Sequence, residues 1–225
     1  MPEFFAPLKR HAKCSVKQTN GAETFYSYEY YREHFRGEIA EACAYRCVYC
    51  DSHEVEVGGR DSMELDHFRP WSRAEFKHLK DDPANFHHAC GRCNRLKGAK
   101  WPSTHMTEPH DGKVGFVDPF ADDRRRYFSV NADGSLVCQQ HPASYMVKLL
   151  QLDRPMVKLL RIRRILRQEV AAYIEKTLPE FEAAAAGDGT LTREQLGAAG
   201  RKLCEYQRLL DLCDAPLDKL HRFLS

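Results

Sequence analysis

The sequence predicts an α+β protein in which helices dominate. Apolar and aromatic residues recur at helical spacing between Phe25 and Ala44, and again from about Ala143 onward. Two short hairpins are indicated between these regions, one around Gly58-Gly59 and one around residues 131–134. Two C-x-x-C pairs enclose the first of these hairpins. The 225 residues suffice to bury a core without disulfide bonds.

The N-terminal residues 1–20 show no clear periodicity and predict a lead-in segment. The helix expected next has one apolar face, made of Tyr28, Tyr31, Phe35, Ile39 and Ala42.

The first hairpin is expected to pair a strand at Val55 and Val57 with a strand at Met63 and Leu65, which would place Glu64 and Asp66 together on the opposite face. A helical turn is expected at 94–97, ending near Gly98 or at Trp101-Pro102.

The second half of the chain is expected to be mainly helical. Residues 102–118 are rich in Pro, Gly, His and Thr, so the boundary between two bodies is placed there. A hairpin is predicted at 127–138, and helices near 155–176 and 192–212 are separated by a turn at 187–190. The expected organisation is a lead-in and helix at 1–42, a core at 43–101, a connection with a hairpin at 102–140, and a helical region at 141–225.

Composition excludes several classes of protein. A net charge of +2 is too small for a polyelectrolyte, so a basic surface must be local. No apolar stretch approaches the roughly 20 residues of a membrane span, and the start of the chain lacks the features of a secretory signal. With nine cysteines and no export signal, a reducing, cytoplasmic location is expected.

Four cysteines have the spacing of a zinc site. Cys47, Cys50, Cys90 and Cys93 form two knuckles of the kind that close a tetrahedral thiolate site, which predicts a structural Zn²⁺. The intervening residues 51–89 exceed the spacing of a simple zinc ribbon, so a folded insertion is expected between the knuckles. Cys43 and His53 are alternative ligands, and the remaining cysteines are expected to be core or surface thiols.

The insertion carries a set of polar residues in a characteristic order. Residues 64–70 read Glu-Leu-Asp-His-Phe-Arg-Pro, Asn85 lies five residues before Cys90, and Asn94 follows Cys93 directly. Together with the knuckles and a Lys-Gly at 97–98, this order resembles the HNH endonuclease family over about a quarter of the chain. Asn94 stands where the last histidine of the family name would be, so the resemblance is to an H-N-N variant.

The resemblance implies a zinc-bound ββα-metal core that hydrolyses phosphodiester bonds. The residue chemistry agrees, because imidazole titrates near neutral pH and His67 can accept a proton from water. Asp66 and Asn94 offer the oxygen ligands that Mg²⁺ or Mn²⁺ prefers. The resemblance further implies that Asn85 orders its loop and that its backbone carbonyl orients His67. Glu64 could support either the metal or Lys97.

Basic residues outside this set are candidates for nucleic-acid contact. Arg69 and Lys97 are close enough in sequence to reach a phosphate, with solvated surface charge as the equal alternative. A stripe at helical spacing could contact successive phosphates, with a solvated or partner-binding face as the alternative. Its members are Arg154, Lys158, Arg161 and Arg164.

A looser resemblance extends over about residues 45–165. Residues 116–123, the following hairpin and residues 149–154 are similar to the region after the catalytic core in HNH proteins associated with retrons and Septu systems, which are bacterial anti-phage effectors. That resemblance, and nothing in this chain, implies an ATPase partner. The chain itself contains no phosphate-binding loop motif.

The sequence therefore predicts a metal-dependent endonuclease acting on DNA, with RNA left open. Two alternatives stay open at this point. One is a zinc-stabilised nucleic-acid-binding module without catalysis, and the other is a subunit that cleaves only after a partner binds.

Overall fold

A computed structural model describes residues 3–10, 16–19, 22–103, 105–187 and 192–214. Helices and three small antiparallel sheets alternate along the chain, which confirms the predicted α+β class. Two compact units can be separated, one of residues Glu3–Leu160 and one whose described part begins at Arg161. None of the helices in the described ranges combines the length and apolar character that crossing a membrane requires.

The three sheets are two-stranded, and each pairs consecutive strands. In the central sheet, Met63 lies opposite Cys90 and His67 lies opposite Phe86. The strands are β1 (Val16–Thr19), β2 (Ala22–Phe25), β3 (Met63–His67), β4 (Phe86–Cys90), β5 (Phe128–Val130) and β6 (Leu136–Cys138).

Within the described ranges, six α-helices accompany the sheets. Helix α3 begins directly after β4 and ends at Gly98, whose φ of 51° suits glycine, so the predicted end of this helix is confirmed. The helices are α1 (Tyr28–His34), α2 (Arg36–Ala42), α3 (Gly91–Lys97), α4 (Ala143–Leu149), α5 (Pro155–Ala185) and α6 (Arg193–Asp214).

The structure corrects the expectation for the N-terminal segment. Strands β1 and β2 pair in antiparallel register, with Val16 opposite Phe25, where the sequence indicated only a lead-in. Strands of four residues are too short to give a clear alternating pattern. The helix predicted between Phe25 and Ala44 is divided at Phe35, whose φ of −116° and ψ of 8° leave the helical range.

The first predicted hairpin is also corrected. Residues Glu54–Val57 form a 3-10 helix rather than a strand. His53 accepts a hydrogen bond from Val55 N, and the Glu56 side chain accepts one from His53 N, so the two ends of this turn cap each other. Strand β3 consequently finds its partner in β4, across the loop 68–85.

The hairpin predicted at 127–138 and the C-terminal helices are confirmed. Helix α5 extends beyond its predicted end, and α6 matches its predicted range within two residues. The part of the predicted turn at 188–190 lies outside the described residues. Within the second unit, the rings of Tyr173 and Tyr206 lie edge to face with centroids 4.7 Å apart.

The main core surrounds the cysteine knuckles. Phe5, Phe68, Trp101 and Phe116 are buried there with the four cysteines, and Phe68 meets Trp101 edge to face at 5.5 Å. Strands β3 and β4 and helix α3 thus form a compact ββα arrangement beside this core.

Candidate active site

The cysteine knuckles form a four-thiol cluster. The four Sγ atoms lie within 4.8 Å of one another, and those of Cys50 and Cys90 are 3.9 Å apart. A tetrahedron with Zn–S bonds of about 2.3 Å has edges of about 3.8 Å, so these thiols fit a zinc ion. The predicted cluster of Cys47, Cys50, Cys90 and Cys93 is confirmed, and its chemistry suits a structural zinc.

Backbone hydrogen bonds hold the first knuckle in place. Val48 N donates to His88 O at 3.0 Å, which attaches the knuckle to β4. Cys47 N donates to Ser52 O, and Asp51 N donates to Cys47 O, both at 2.9 Å. The cysteines of the first knuckle are therefore positioned against those of the second by the sheet itself.

A buried ion pair supports the same knuckle from the other side. Arg124 donates to Val48 O at 2.9 Å and to Ala6 O at 2.8 Å, and its guanidinium lies 3.8 Å from the Asp51 carboxylate. Asp51 also accepts a hydrogen bond from Phe5 N at 3.1 Å. The side chains of Arg124 and Asp51 are each 3% exposed. The network therefore joins the N-terminal segment, the first knuckle and Arg124 in the protein interior.

A second arginine contacts the cysteines themselves. The Arg154 guanidinium lies 3.7 to 3.8 Å from the Sγ atoms of Cys90 and Cys93. Its remaining contacts are the carbonyl oxygens of Leu150 and Gln151. Four thiolates around Zn²⁺ carry a net charge of −2, so a cation at this distance offsets the charge of the filled site.

The alternative zinc ligands lie outside the cluster. Burial raises the pKa of the Cys43 thiol to about 11, which keeps it protonated in the core. His53 instead caps the 3-10 helix through Nδ1. Cys138 and Cys204 are exposed, and Cys14 and the side chain of Cys213 lie outside the described residues.

A second polar centre lies on β3. The Asp66 carboxylate, 3% exposed, accepts hydrogen bonds from Tyr49 Oη at 2.5 Å and from Lys97 Nζ at 3.0 Å. Burial, followed by the nearby Asp66 charge, raises the pKa of Tyr49 well above its usual range, so the hydroxyl keeps its proton. Lys97 is fully buried and also donates to His67 O at 2.6 Å.

The His67 ring is fixed on one side and faces a cavity. Its Nε2 lies 2.8 Å from Lys80 O, an acceptor, so Nε2 carries the proton and Nδ1 is left as the acceptor. The Tyr28 ring lies 4.5 Å from the imidazole, centroid to centroid. Burial lowers the pKa of His67 below its ordinary value of 6.5, which favours the neutral ring.

The family resemblance implied that the Asn85 carbonyl orients His67. The structure corrects this expectation, because the carbonyl that contacts His67 Nε2 belongs to Lys80. Asn85 O instead accepts from Phe68 N at 2.8 Å. The Asn85 side chain accepts from Arg69 N at 2.7 Å and donates to Arg69 O and Leu79 O. Asn85 thus ties together both ends of the loop whose residue 80 contacts His67.

Asn94 lies in the first half of α3 and faces the same cavity. Its Nδ2 donates to Glu64 Oε2 at 2.5 Å, which leaves the amide oxygen of Asn94 as an acceptor. Glu64 also lies 3.6 Å from Arg95 Nη1. A cavity of about 340 Å³ has Asp66, His67 and Asn94 in its wall.

The oxygen donors of this wall fit a hard divalent cation. A carboxylate offers about four lone-pair directions, and Asp66 uses two of them for Tyr49 and Lys97. Asp66 and the amide oxygen of Asn94 are ligand types that Mg²⁺ and Mn²⁺ accept alongside water. The donor set therefore suits such an ion, while Lys97 already compensates the carboxylate charge.

The basic residues that the sequence singled out have different surroundings. Arg69 is half-buried and donates to Thr107 O at 2.6 Å. Lys97 points into the interior onto Asp66 and not to solvent. Lys158 pairs with Asp133 at 2.9 Å, Arg161 is 4% exposed, and Arg164 is partly exposed.

Three groups that contact the cysteine cluster or the residues of the cavity were not predicted from the sequence. Tyr49 lies between the cysteines of the first knuckle, a position that could have been noticed. Arg154 was considered only as part of a basic stripe, although its guanidinium contacts the cysteines. The carbonyl of Lys80 has no side-chain signature, so only the fold identifies it.

Comparison with known proteins agrees with this geometry. The family model for the HNH endonuclease matches residues 47–100, the segment from the first knuckle to just beyond α3. No curated protein matches the chain. The chain therefore contains a segment that matches the HNH endonuclease domain, in which the cysteine cluster and the cavity at β3 and α3 lie side by side.

Proposed function

We propose that the protein is a metal-dependent endonuclease that hydrolyses phosphodiester bonds in DNA. His67 is the general base, and a single Mg²⁺ or Mn²⁺ ion is held by Asp66 and Asn94. The observation that carries the proposal is the hydrogen bond from His67 Nε2 to Lys80 O at 2.8 Å, in a cavity that also contains Asp66 and Asn94. A histidine fixed in this tautomer presents a proton acceptor to whatever the cavity holds.

The reaction needs one proton transfer by His67. Nδ1 accepts a proton from a water molecule, and the resulting hydroxide attacks phosphorus while the bond to the leaving oxygen breaks. The leaving oxygen departs as an alkoxide and takes a proton from a second water molecule. Lys80 O accepts from Nε2 throughout, so it stabilises the imidazolium that forms. Asp66 and Asn94 would hold a divalent cation, which would supply positive charge to the phosphate and the leaving oxygen.

Other parts of the chain have supporting roles in this proposal. The cysteine cluster binds zinc and holds β4 and α3 in register, while Asn85 orders the loop that carries Lys80. Arg69 and residues of α5, Lys158, Arg161 and Arg164, are proposed to contact the nucleic acid. A cytoplasmic location and a role in anti-phage defence beside an ATPase partner are further proposals, and the defence role rests on the looser resemblance of residues 45–165.

The second candidate function is a subunit that becomes active only after a partner binds. The observation that favours it is the pairing of both Asp66 oxygens, one with Tyr49 and one with Lys97. A partner that displaces Lys97 would free the carboxylate for a metal ion.

A plasmid-cleavage assay separates these functions. The purified, zinc-loaded full chain is incubated with supercoiled DNA in Mg²⁺, in Mn²⁺ or without either ion, beside His67→Ala and the control His34→Ala, whose side chain is 55% exposed on α1. We expect metal-dependent nicking that falls about 100-fold or more in His67→Ala and is unchanged in His34→Ala. Full activity of His67→Ala would refute the general-base assignment. DNA binding without cleavage by the wild type would favour the partner-activated subunit.

A further inference from the structure

Trp71 is a large aromatic residue at the edge of the proposed active site. It follows Pro70 at the start of the loop after β3 and is 39% exposed, whereas the other tryptophan, Trp101, is 4% exposed in the core. Its ring lies 6.1 Å from that of His67, centroid to centroid. Both side chains line the 340 Å³ cavity. The exposed apolar surface of this indole is unfavourable in water, so a ligand that covers it gains binding free energy.

Three aromatic rings lie close to the imidazole, those of Tyr28, Trp71 and the fully buried Phe86, whose centroid is 5.2 Å away. Tyr28 packs against His67 at 4.5 Å, and its hydroxyl donates to Leu65 O at 2.8 Å, so this partly buried ring of the cavity wall is fixed against β3. Trp71 has no such fixed polar tether among the contacts described, and Lys80 Nζ lies 5.4 Å from its ring centre. A cation beside an indole adds affinity for the electron-rich rings and phosphates of nucleic acid.

The short distance between Trp71 and His67 limits which nucleotide can contact the indole ring. A phosphate that reacts with a water molecule at His67 brings its own nucleoside within reach of Trp71. The faces of a base in a duplex are covered by its neighbours, so a base can stack on a protein ring only where the strand is single or the duplex is locally opened.

We propose that Trp71 stacks on an unpaired nucleobase next to the scissile phosphate, so that the enzyme acts on single-stranded DNA or on locally opened duplex. The inference rests on the proposed nuclease function, because it places the substrate by the reaction at His67. It adds a substrate class and a specificity-determining residue to that function.

Tryptophan fluorescence and anisotropy test this inference together. Fluorescein-labelled single-stranded DNA, the same strand with an abasic site in place of each base in turn, and the matching duplex are titrated with the zinc-loaded full chain in buffer without Mg²⁺ or Mn²⁺. Anisotropy reports binding, and indole emission reports stacking at Trp71. The variants are Trp71→Ala and the control Tyr45→Ala, which removes an aromatic side chain that is 42% exposed in a different cavity.

We expect single-stranded DNA to quench the indole emission and to bind more tightly than the duplex. One abasic position should abolish the quenching, and Trp71→Ala should weaken binding about 5-fold to 100-fold, while Tyr45→Ala leaves it unchanged. Equal binding by Trp71→Ala and the wild type, or quenching that survives every abasic substitution, would overturn the inference.

Cleavage of the same oligonucleotides in Mg²⁺ distinguishes the stacking role of Trp71 from the proposed nuclease function. Cleavage that is indifferent to strandedness and to Trp71→Ala refutes the stacking role and leaves the nuclease intact. If the wild type neither binds nor cleaves any of these DNAs, the inference and the proposed DNA substrate both fail, and single-stranded RNA of the same sequence tests the remaining nucleic acid.

Discussion

Lys97 and Asp66 form a buried ion pair, with Nζ 3.0 Å from Oδ1 and side chains that are 0% and 4% exposed. The lysine is in α3 and the aspartate in β3, so the pair fastens the helix to the sheet. Its remaining partners are Tyr49 Oη on the carboxylate and His67 O on the ammonium. Each charge thus has the hydrogen bonds that burial requires.

Removing one partner of this pair is expected to be costly. Lys97→Met leaves Asp66 buried with only Tyr49, which should lower the free energy of unfolding by about 3 to 5 kcal/mol. Urea denaturation followed by tryptophan emission, to which the buried Trp101 contributes, measures the loss. The double variant Asp66→Asn with Lys97→Met removes both charges and should recover much of it. Equal stability of the two variants would show that the pair is not coupled.

Loss of one zinc ligand is expected to unfold the HNH domain. Cys47→Ser removes one of the four thiolates, and structural zinc supplies about 10 kcal/mol of apparent folding free energy. Metal analysis should find less than one zinc per chain, and circular dichroism should show lost structure. Cys138→Ser, a change at an exposed thiol outside the cluster, is the control and should keep its zinc and its secondary structure. A folded, zinc-free Cys47→Ser protein would contradict the structural role.

The sequence predicted those parts of the site that local spacing determines. Each knuckle brings two thiols together within one turn, and β4 runs directly into α3, so Cys90, Cys93 and Asn94 follow from short-range geometry. The order of Asp66, His67 and Asn94 was similarly informative, because it carries the resemblance to the family.

Contacts between distant segments were not predictable. The Lys97–Asp66 pair spans 31 residues and the Arg154–Cys93 contact spans 61, and both depend on how elements pack. The hydrogen bond from His67 to Lys80 O uses a backbone group that every residue possesses. Strand β3 was predicted, but its partner was not, because residues 54–57 have an alternating pattern and still form a capped 3-10 turn.

Arg154 is expected to slow the release of zinc. Its guanidinium contacts Cys90 and Cys93, and loss of a partner of this kind typically costs 10-fold to 100-fold in metal affinity. Arg154→Ala should therefore lose zinc to a chelator at least about 10-fold faster than the wild type, as followed with a colorimetric zinc indicator. Lys158→Ala, which removes a charge one turn later that pairs with Asp133, should release zinc at the wild-type rate. If the wild type, Arg154→Ala and Lys158→Ala release zinc at the same rate, Arg154 packs against the cluster without stabilising the bound zinc.

Asn85 is expected to act on catalysis through the loop and not through the substrate. Its side chain makes three hydrogen bonds to the backbone of Arg69 and Leu79, so Asn85→Ala leaves buried groups unsatisfied and should cost about 1 to 3 kcal/mol. Because Lys80 O then loses its fixed position beside His67, cleavage should slow while DNA binding is retained. Hydrogen exchange should increase in residues 69–84 and stay unchanged in β5 and β6. Asn131→Ala, a change at an exposed hairpin asparagine, is the control. Wild-type exchange in the loop together with slow cleavage would instead place Asn85 at the substrate.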